Sequence, residues 1–237
     1  MSGPVLLFDL DDTLFAHRDA VRAGFAAHLA AQPHLTVADL EGELDRWHVL
    51  EEQHYSRYLS GELDWHGQRR ARADEFLAPY GVTLADAAAT EEWFEQYFDR
   101  YRAAWTLHDD VLPCLDALPG ARVGIITNGE LPTQSEKVAA VGFTGSVEHL
   151  IASGSVGVTK PDPAIFRLAC ERFGVPPAEA WYIGDRFETD AVGATRAGLT
   201  GVWIDRHGAA TEGELRRAAE LGIPVITSLA ELPALVG

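Results

Sequence analysis

The sequence predicts an α/β fold, in which a parallel sheet is covered by helices and a helical segment is inserted after the first strand. In the second half of the chain, short apolar runs alternate with helix-like stretches, a pattern typical of a parallel sheet. Between residues 16 and 106, by contrast, apolar side chains recur at helical spacing. We therefore expect a core domain formed by residues 1–15 and 107–237, and a helical domain formed by residues 16–106.

The first strand is expected at residues 4–10, where a short apolar run ends in acidic residues. Later runs of the same character lie at 122–127, 147–152, 180–184, 201–205 and, as an edge strand, 223–227. Helical stretches separate the later strands at about 132–141, 161–173, 189–197 and 211–221. Strands and helices in this order predict a Rossmann-like core with three layers, α/β/α.

The inserted segment is predicted to be a helical bundle. Val21, Phe25 and Leu29 are four residues apart, and an aromatic stripe with the same spacing runs from Trp93 to Trp105. Aromatic side chains at this spacing usually form the core of a bundle, and we expect that role here rather than a ligand site.

Composition limits the classes of partner. Among 237 residues, 36 are Asp or Glu and 19 are Lys or Arg, for a net charge of −17. This excess argues against nucleic acid or an anionic membrane surface as the main partner. Cys114 and Cys170 are far apart and form no CxxC pair, and no apolar run approaches membrane-spanning length. We therefore expect a soluble, cytoplasmic protein with reduced thiols.

Polar residues follow several of the predicted strands. Asp9 and Asp11 end the first strand, and Thr127 and Asn128 follow residues 122–127. Lys160 precedes the helix at 161–173, and Asp185 and Asp190 follow residues 180–184. Because ligands of an open parallel sheet bind at the carboxyl ends of its strands, we expect these side chains to meet at one rim.

These residue types suit a phosphate and a metal. Asp9, Asp11 and Asp185 offer the hard oxygen ligands that Mg2+ prefers. Such a metal would also explain the acids at the end of a buried strand, since burying an unpartnered carboxylate is costly. Lys160, Thr127 and the backbone amides at Asn128 can hold a phosphoryl group. Together they predict metal-assisted phosphoryl chemistry.

The order of these motifs resembles that of the haloacid dehalogenase (HAD) superfamily of phosphohydrolases. The motifs read DLDDTL at 9–14, TNG at 127–129, KP at 160–161 and GDRFETD at 184–190. The resemblance covers residues 1–15 and 107–237, and the long insertion resembles that of members with a helical cap domain. It implies an Mg2+-dependent phosphatase that acts on a small phosphorylated metabolite through an aspartyl-phosphate.

The resemblance also implies a role for each matching residue. Asp9 would be the nucleophile, and Asp11 would protonate the leaving alcohol and later deprotonate the attacking water. Thr127, Asn128 and Lys160 would bind the phosphoryl group. The metal would be held by Asp9, Asp11 and Asp185. Asp190 would contact the residues that hold the metal rather than the metal itself.

Alternatives on the same fold are a phosphomutase, a haloacid dehalogenase and a non-catalytic phosphate-binding protein. Asp11 favours ester hydrolysis over dehalogenation, because a halide needs no proton to leave. Residues 16–106 contain no lysine, which argues against a phosphonate hydrolase that uses a Schiff base. The sequence leaves open the physiological substrate and the oligomeric state. It also leaves open whether several further residues act in the site or only in turns and on the surface. These residues are Asp12, Thr13, Arg69, Arg70, Arg72 and Glu188.

Overall fold

The computed structural model describes residues 3–237, which form two compact units. The first unit comprises the residues up to His17 together with Thr106–Gly237, and the second is Arg18–Trp105. No helix within residues 3–237 is both long enough and apolar enough to cross a membrane.

The first unit contains a six-stranded parallel sheet with the order β3-β2-β1-β4-β5-β6. This confirms the predicted α/β class, with the first strand at the centre and the last strand at an edge. The strands are β1 (Val5–Phe8), β2 (Arg122–Thr127), β3 (His149–Ala152), β4 (Ala180–Gly184), β5 (Thr200–Ile204) and β6 (Val225–Ile226).

The helices flank this sheet or form the second unit. In chain order they are α1 (His17–Ala30), α2 (Leu40–Leu59), α3 (Trp65–Leu77), α4 (Ala87–Ala103), α5 (Val111–Asp116), α6 (Leu131–Ala140), α7 (Ser153–Val156), α8 (Pro163–Phe173), α9 (Gly193–Ala197), α10 (Glu212–Leu221) and α11 (Leu232–Val236).

Two predicted helices begin differently in the structure. The helix expected at 161–173 starts at Pro163, because the Asp162 side chain caps it by accepting a hydrogen bond from the Ala164 amide at 2.9 Å. The helix expected at 189–197 is a π-helical turn, Phe187–Val192, followed by α9. The short helices α5, α7 and α11 were not predicted, since four to six residues are too few to show a helical period.

The central strand is buried on both faces. Each residue of β1 is at most 3% exposed, although successive side chains point to opposite sides. On one face Val5 and Leu7 join a core cluster with Ile165 and Phe166 of α8. Burial on both faces explains why β1 reads as a continuous apolar run rather than an alternating one.

The second unit has an aromatic core, as the sequence predicts. The ring of Phe25 from α1 stacks on Trp47 from α2 at 4.1 Å between centroids, and Phe76 from α3 meets Phe25 edge-on at 4.8 Å. Trp93 and Tyr97 of α4 are at most 5% exposed in the same cluster. Aromatic rings from α1 to α4 therefore hold this bundle together.

His28 lies in this aromatic core with a shifted pKa. The side chain is fully buried, its ring meets Trp93 edge-on at 4.5 Å, and neither ring nitrogen has a hydrogen-bond partner among the described residues. Burial, with a smaller contribution from Arg100, lowers the pKa of His28 to about 4. The folded protein therefore holds this histidine neutral at a pH where the unfolded chain protonates it.

We expect this histidine to make the protein less stable in mild acid. The contribution is fully present above the unfolded pKa of about 6.5 and is lost as the pH falls towards 4, by at most about 1.4 kcal/mol per pH unit. Urea unfolding at several pH values should therefore show a smaller loss in His28→Phe than in the wild type. The control is His34→Phe, which changes an exposed histidine. Equal losses in the wild type and His28→Phe would contradict this assignment.

Candidate active site

Asp9 lies at the carboxyl end of the central strand. Its amide donates to the carbonyl of Ile183 in the neighbouring strand β4 at 2.8 Å, and the residue is 7% exposed. Oδ1 of Asp9 accepts a hydrogen bond from Nζ of Lys160 at 2.5 Å. The sheet thus holds a buried carboxylate against an ammonium group.

Lys160 is the centre of a buried polar network. Besides Asp9, Nζ donates to Oδ1 of Asp190 at 2.7 Å and to the hydroxyl of Tyr182 at 2.8 Å. Burial lowers the pKa of Lys160, but the charges of Asp190 and Asp9 more than offset this and raise it overall. Lys160 therefore stays protonated and compensates two buried carboxylates.

Asn128 holds the backbone of Lys160. Its side-chain amide donates to the Lys160 carbonyl at 2.9 Å, and its Oδ1 accepts from the Lys160 amide at 2.7 Å. The side chain predicted to bind phosphate is thus used to position the lysine, and a phosphate contact from Asn128 stays a prediction. Thr127, the last residue of β2, is 3% exposed.

Three carboxylates form an acidic cluster: oxygen atoms of Asp9, Asp185 and Asp190 lie within 4.8 Å of one another. Burial raises the pKa of Asp9 to about 7, against the opposing effect of Lys160 and with added repulsion from Asp190. Burial and the charges of Asp9 and Asp190 raise the pKa of Asp185 well above its ordinary value. One lysine therefore does not balance the cluster, and the oxygen donors fit a further cation.

Asp11 is not part of this cluster. Its Oδ1 accepts a hydrogen bond from Nζ of Lys137 at 2.7 Å, and Nδ1 of His17 lies 3.8 Å from the same oxygen. The structure thus places Asp190, rather than Asp11, beside Asp9 and Asp185. Metal ligation by Asp11 stays a prediction.

The profile of the family described as haloacid dehalogenase-like hydrolase matches residues 4–198. The chain belongs to this family. It is 34% identical over 213 residues to a glyceraldehyde 3-phosphate phosphatase of Methanopyrus kandleri, covering 85% of this chain and 83% of that protein. It is 30% identical over 228 residues to a phosphoserine phosphatase of Thermus thermophilus, covering 85% and 88%.

Solved structures of haloacid dehalogenase-like proteins share the fold. The magnesium-bound hydrolase YfnB of Bacillus subtilis matches with a TM-score of 0.78 at 20% identity, covering 100% of this chain and 99% of that chain. A 2-haloacid dehalogenase of Pseudomonas syringae matches with a TM-score of 0.65 at 27% identity, covering 98% and 97%.

Two site residues of this haloacid dehalogenase-like hydrolase were missed by sequence reasoning. The Tyr182 hydroxyl contacts both Lys160 and Asp190, but within β4 it reads as an ordinary buried strand residue. Lys137 reads as a surface residue of α6, yet it is 3% exposed and bound to Asp11. The signal available in the sequence was the rarity of lysine, because two of the 19 basic residues are lysines, Lys137 and Lys160.

Two of the residues whose roles the sequence left open, Asp12 and Glu188, have partners in the structure. Asp12 adopts a positive φ of 57° in the turn after β1, and its amide donates to the Phe15 carbonyl at 2.7 Å. Aspartate tolerates this left-handed conformation better than most residues, which supports a role in the turn. Thr13 is fully buried. Glu188 is exposed, outside the acidic cluster, and pairs with Arg217 of α10.

The three arginines of α3 pair with glutamates inside the helical unit. Arg69 and Arg72 are 6% and 4% exposed, and their guanidinium groups lie over the rings of Trp65 and Trp47 at 4.7 and 4.5 Å. Arg69 pairs with Glu95, and Arg72 pairs with Glu51. The more exposed Arg70 pairs with Glu91. Arg69 and Arg72 are thus core residues of the bundle rather than solvated ones.

Proposed function

We propose that the protein is an Mg2+-dependent phosphomonoester hydrolase that acts on a small phosphorylated metabolite through an aspartyl-phosphate. The observation that carries this proposal is the Asp9 carboxylate, which is buried at the end of β1 beside Lys160 and the acids Asp185 and Asp190. The two phosphatase relatives support the same reaction class.

Asp9 and Asp185 are the residues that would hold the metal, with Asp190 beside them. Both have raised pKa values, which supports the binding of a further positive charge at this cluster. When bound, Mg2+ would neutralise charge on the phosphoryl oxygens. Lys160 would supply further positive charge beside Asp9.

The chain's own residues can carry both halves of the reaction. An oxygen of Asp9 attacks phosphorus, and the bond to the leaving oxygen breaks as Asp11 donates its proton to that oxygen. In the second half Asp11 takes a proton from water, the water oxygen attacks phosphorus, and the bond to Asp9 breaks. Phosphate is released, and Asp9 and Asp11 return to their starting states.

A dehalogenase is the second candidate, because solved 2-haloacid dehalogenases share the fold. Asp11 favours the phosphatase, since only an alkoxide leaving group needs a proton. Phosphate transfer without net hydrolysis would indicate a mutase, and binding without turnover would indicate a phosphate-binding protein.

The deciding experiment measures phosphate release from glyceraldehyde 3-phosphate, phosphoserine and 4-nitrophenyl phosphate, with Mg2+ and with EDTA. A parallel assay measures halide release from 2-chloropropionate. We expect phosphate release that EDTA abolishes and added Mg2+ restores. Halide release without phosphate release would overturn the proposal in favour of the dehalogenase.

We also expect Mg2+ to stabilise the fold, by about 2.7 kcal/mol at a concentration 100 times its dissociation constant. Protons compete with the metal below the pKa of Asp9 of about 7, so the stabilisation should grow as the pH rises through 7. Thermal unfolding with Mg2+ or EDTA at several pH values measures this effect. Asp185→Asn should lose most of it, whereas the control Glu188→Gln should keep it. An unchanged Mg2+ effect in Asp185→Asn would rule out this metal site.

A further inference from the structure

We propose that Lys137 is a positioning residue that orients the acid–base carboxylate of Asp11. This inference rests on the phosphatase function proposed above and assigns a role to a residue outside the four motifs.

The chain uses lysine at two positions and arginine at the remaining 17 basic positions. Both lysines are buried, at 3% and 5% exposure, and each binds one carboxylate of the first motif: Lys160 binds Asp9, and Lys137 binds Asp11. A compact ammonium group therefore contacts each of Asp9 and Asp11. Arginine supplies the positive charges elsewhere, including buried ones.

The contact with Asp11 is well defined. Lys137 lies on α6, which follows β2, and its Nζ approaches Oδ1 of Asp11 at 2.7 Å across 126 positions of sequence. The ammonium also lies 5.0 Å from the centroid of Phe15, a fully buried residue of the same loop as Asp11. Two contacts thus tie the rigid helix to the loop that carries the acid–base residue.

Binding at Oδ1 decides which oxygen of Asp11 moves the proton. An oxygen that accepts a hydrogen bond from an ammonium group is the weaker base of the two, so the proton is carried by Oδ2. As the bond from Asp9 to phosphorus forms and the bond to the leaving oxygen breaks, this proton passes from Oδ2 to the leaving oxygen. Lys137 keeps its own protons throughout and acts only through the orientation of Asp11.

A merely structural ion pair is the competing explanation, and the same loop offers a matched control. Arg206 is a partly buried cation that pairs with Asp110 at 2.8 Å and donates to the Thr13 carbonyl at 2.7 Å. Its guanidinium therefore supports the same loop through Asp110 and the Thr13 carbonyl. Arg206→Met likewise replaces a cation that contacts this loop with an uncharged side chain.

The test compares kcat/KM for 4-methoxyphenyl, phenyl and 4-nitrophenyl phosphate in the wild type, Lys137→Met and Arg206→Met. A poor leaving group needs the proton from Asp11, whereas 4-nitrophenolate leaves largely without it. We expect Lys137→Met to lose about 10- to 100-fold with 4-methoxyphenyl phosphate and less than about 3-fold with 4-nitrophenyl phosphate. In Arg206→Met, kcat/KM should fall by the same factor with all three esters. An equal loss across the series in Lys137→Met would overturn the proposal.

A double variant tests whether Lys137 acts through Asp11. In an Asp11→Asn background, Lys137→Met should cause no further loss, whereas a structural role predicts an additional loss. A wild type that hydrolyses none of these esters would instead remove the proposed function, and this inference with it.

A spectroscopic readout avoids the lysine variant altogether. With two lysines in the chain, a sample labelled with 15N-lysine has two side-chain ammonium signals to follow. We expect Asp11→Asn to shift the signal of Lys137 much more than that of Lys160. An unchanged Lys137 signal would show that the contact does not form in solution, and would also overturn the proposal.

Discussion

Asp9→Asn is expected to reduce phosphate release by roughly 10⁴- to 10⁶-fold, the range expected when the nucleophile of a covalent mechanism is removed. The amide has nearly the shape of the carboxylate but cannot attack phosphorus. Folding should survive, because the change removes a charge from a cluster in which burial already raises the pKa of Asp9 to about 7. Initial rates with Mg2+ measure the loss, and thermal unfolding confirms that the variant is folded.

The control for this variant is Asp12→Asn, the same chemical change three positions further on. Asparagine tolerates the positive φ of 57° at Asp12, so the turn should be kept and activity should stay close to that of the wild type. A folded Asp9→Asn variant with more than about a tenth of the wild-type rate would exclude Asp9 as the nucleophile.

Lys160→Met is expected to affect both activity and stability. It removes the ammonium that contacts Asp9 and Asp190 at 2.5 and 2.7 Å, and so leaves two buried carboxylates without their cation. Breaking a buried ion pair from one side typically destabilises a protein by about 3–5 kcal/mol. Urea unfolding in EDTA measures this change in stability. In a separate assay with Mg2+ and without urea, the same variant should show no phosphate release.

A second substitution separates the electrostatic effect from a packing defect. Lys160→Met combined with Asp190→Asn removes one of the stranded charges, so the double variant should be more stable than Lys160→Met alone. Activity should not return, because the ammonium beside Asp9 is still missing. A double variant less stable than Lys160→Met would show that lost packing, not stranded charge, causes the destabilisation.

Sequence reasoning located the sheet because buried parallel strands leave continuous apolar runs, as β1 does at Val5–Phe8. It also located the candidate site, because acids that follow such runs converge at one edge of the sheet. The partners of these acids could not be predicted, since they depend on side chains meeting across the fold. Lys137 and Asp11 are 126 positions apart, and Asn128 contacts Lys160 across 32 positions.

Local geometry also escaped prediction where it departs from a regular period. The π-helical turn at Phe187–Val192 places Asp190 so that its carboxylate accepts from Lys160 and from the Arg186 amide at 3.0 Å. A regular helix was expected at residues 189–197, with Asp190 at the same rim as Asp9 and Asp185. The π-helical turn that carries this member of the acidic cluster is what the sequence did not predict.

The burial of both lysines also gives the folded enzyme an unusual chemical selectivity. Reagents that acylate side-chain amines need a deprotonated, accessible amine, and both candidates in this chain are paired and at most 5% exposed. Acylation of either lysine therefore requires the surrounding structure to open. At low reagent concentration, the acylation rate measures the fraction of molecules in which the candidate site is open, and a ligand that closes this site should protect both amines.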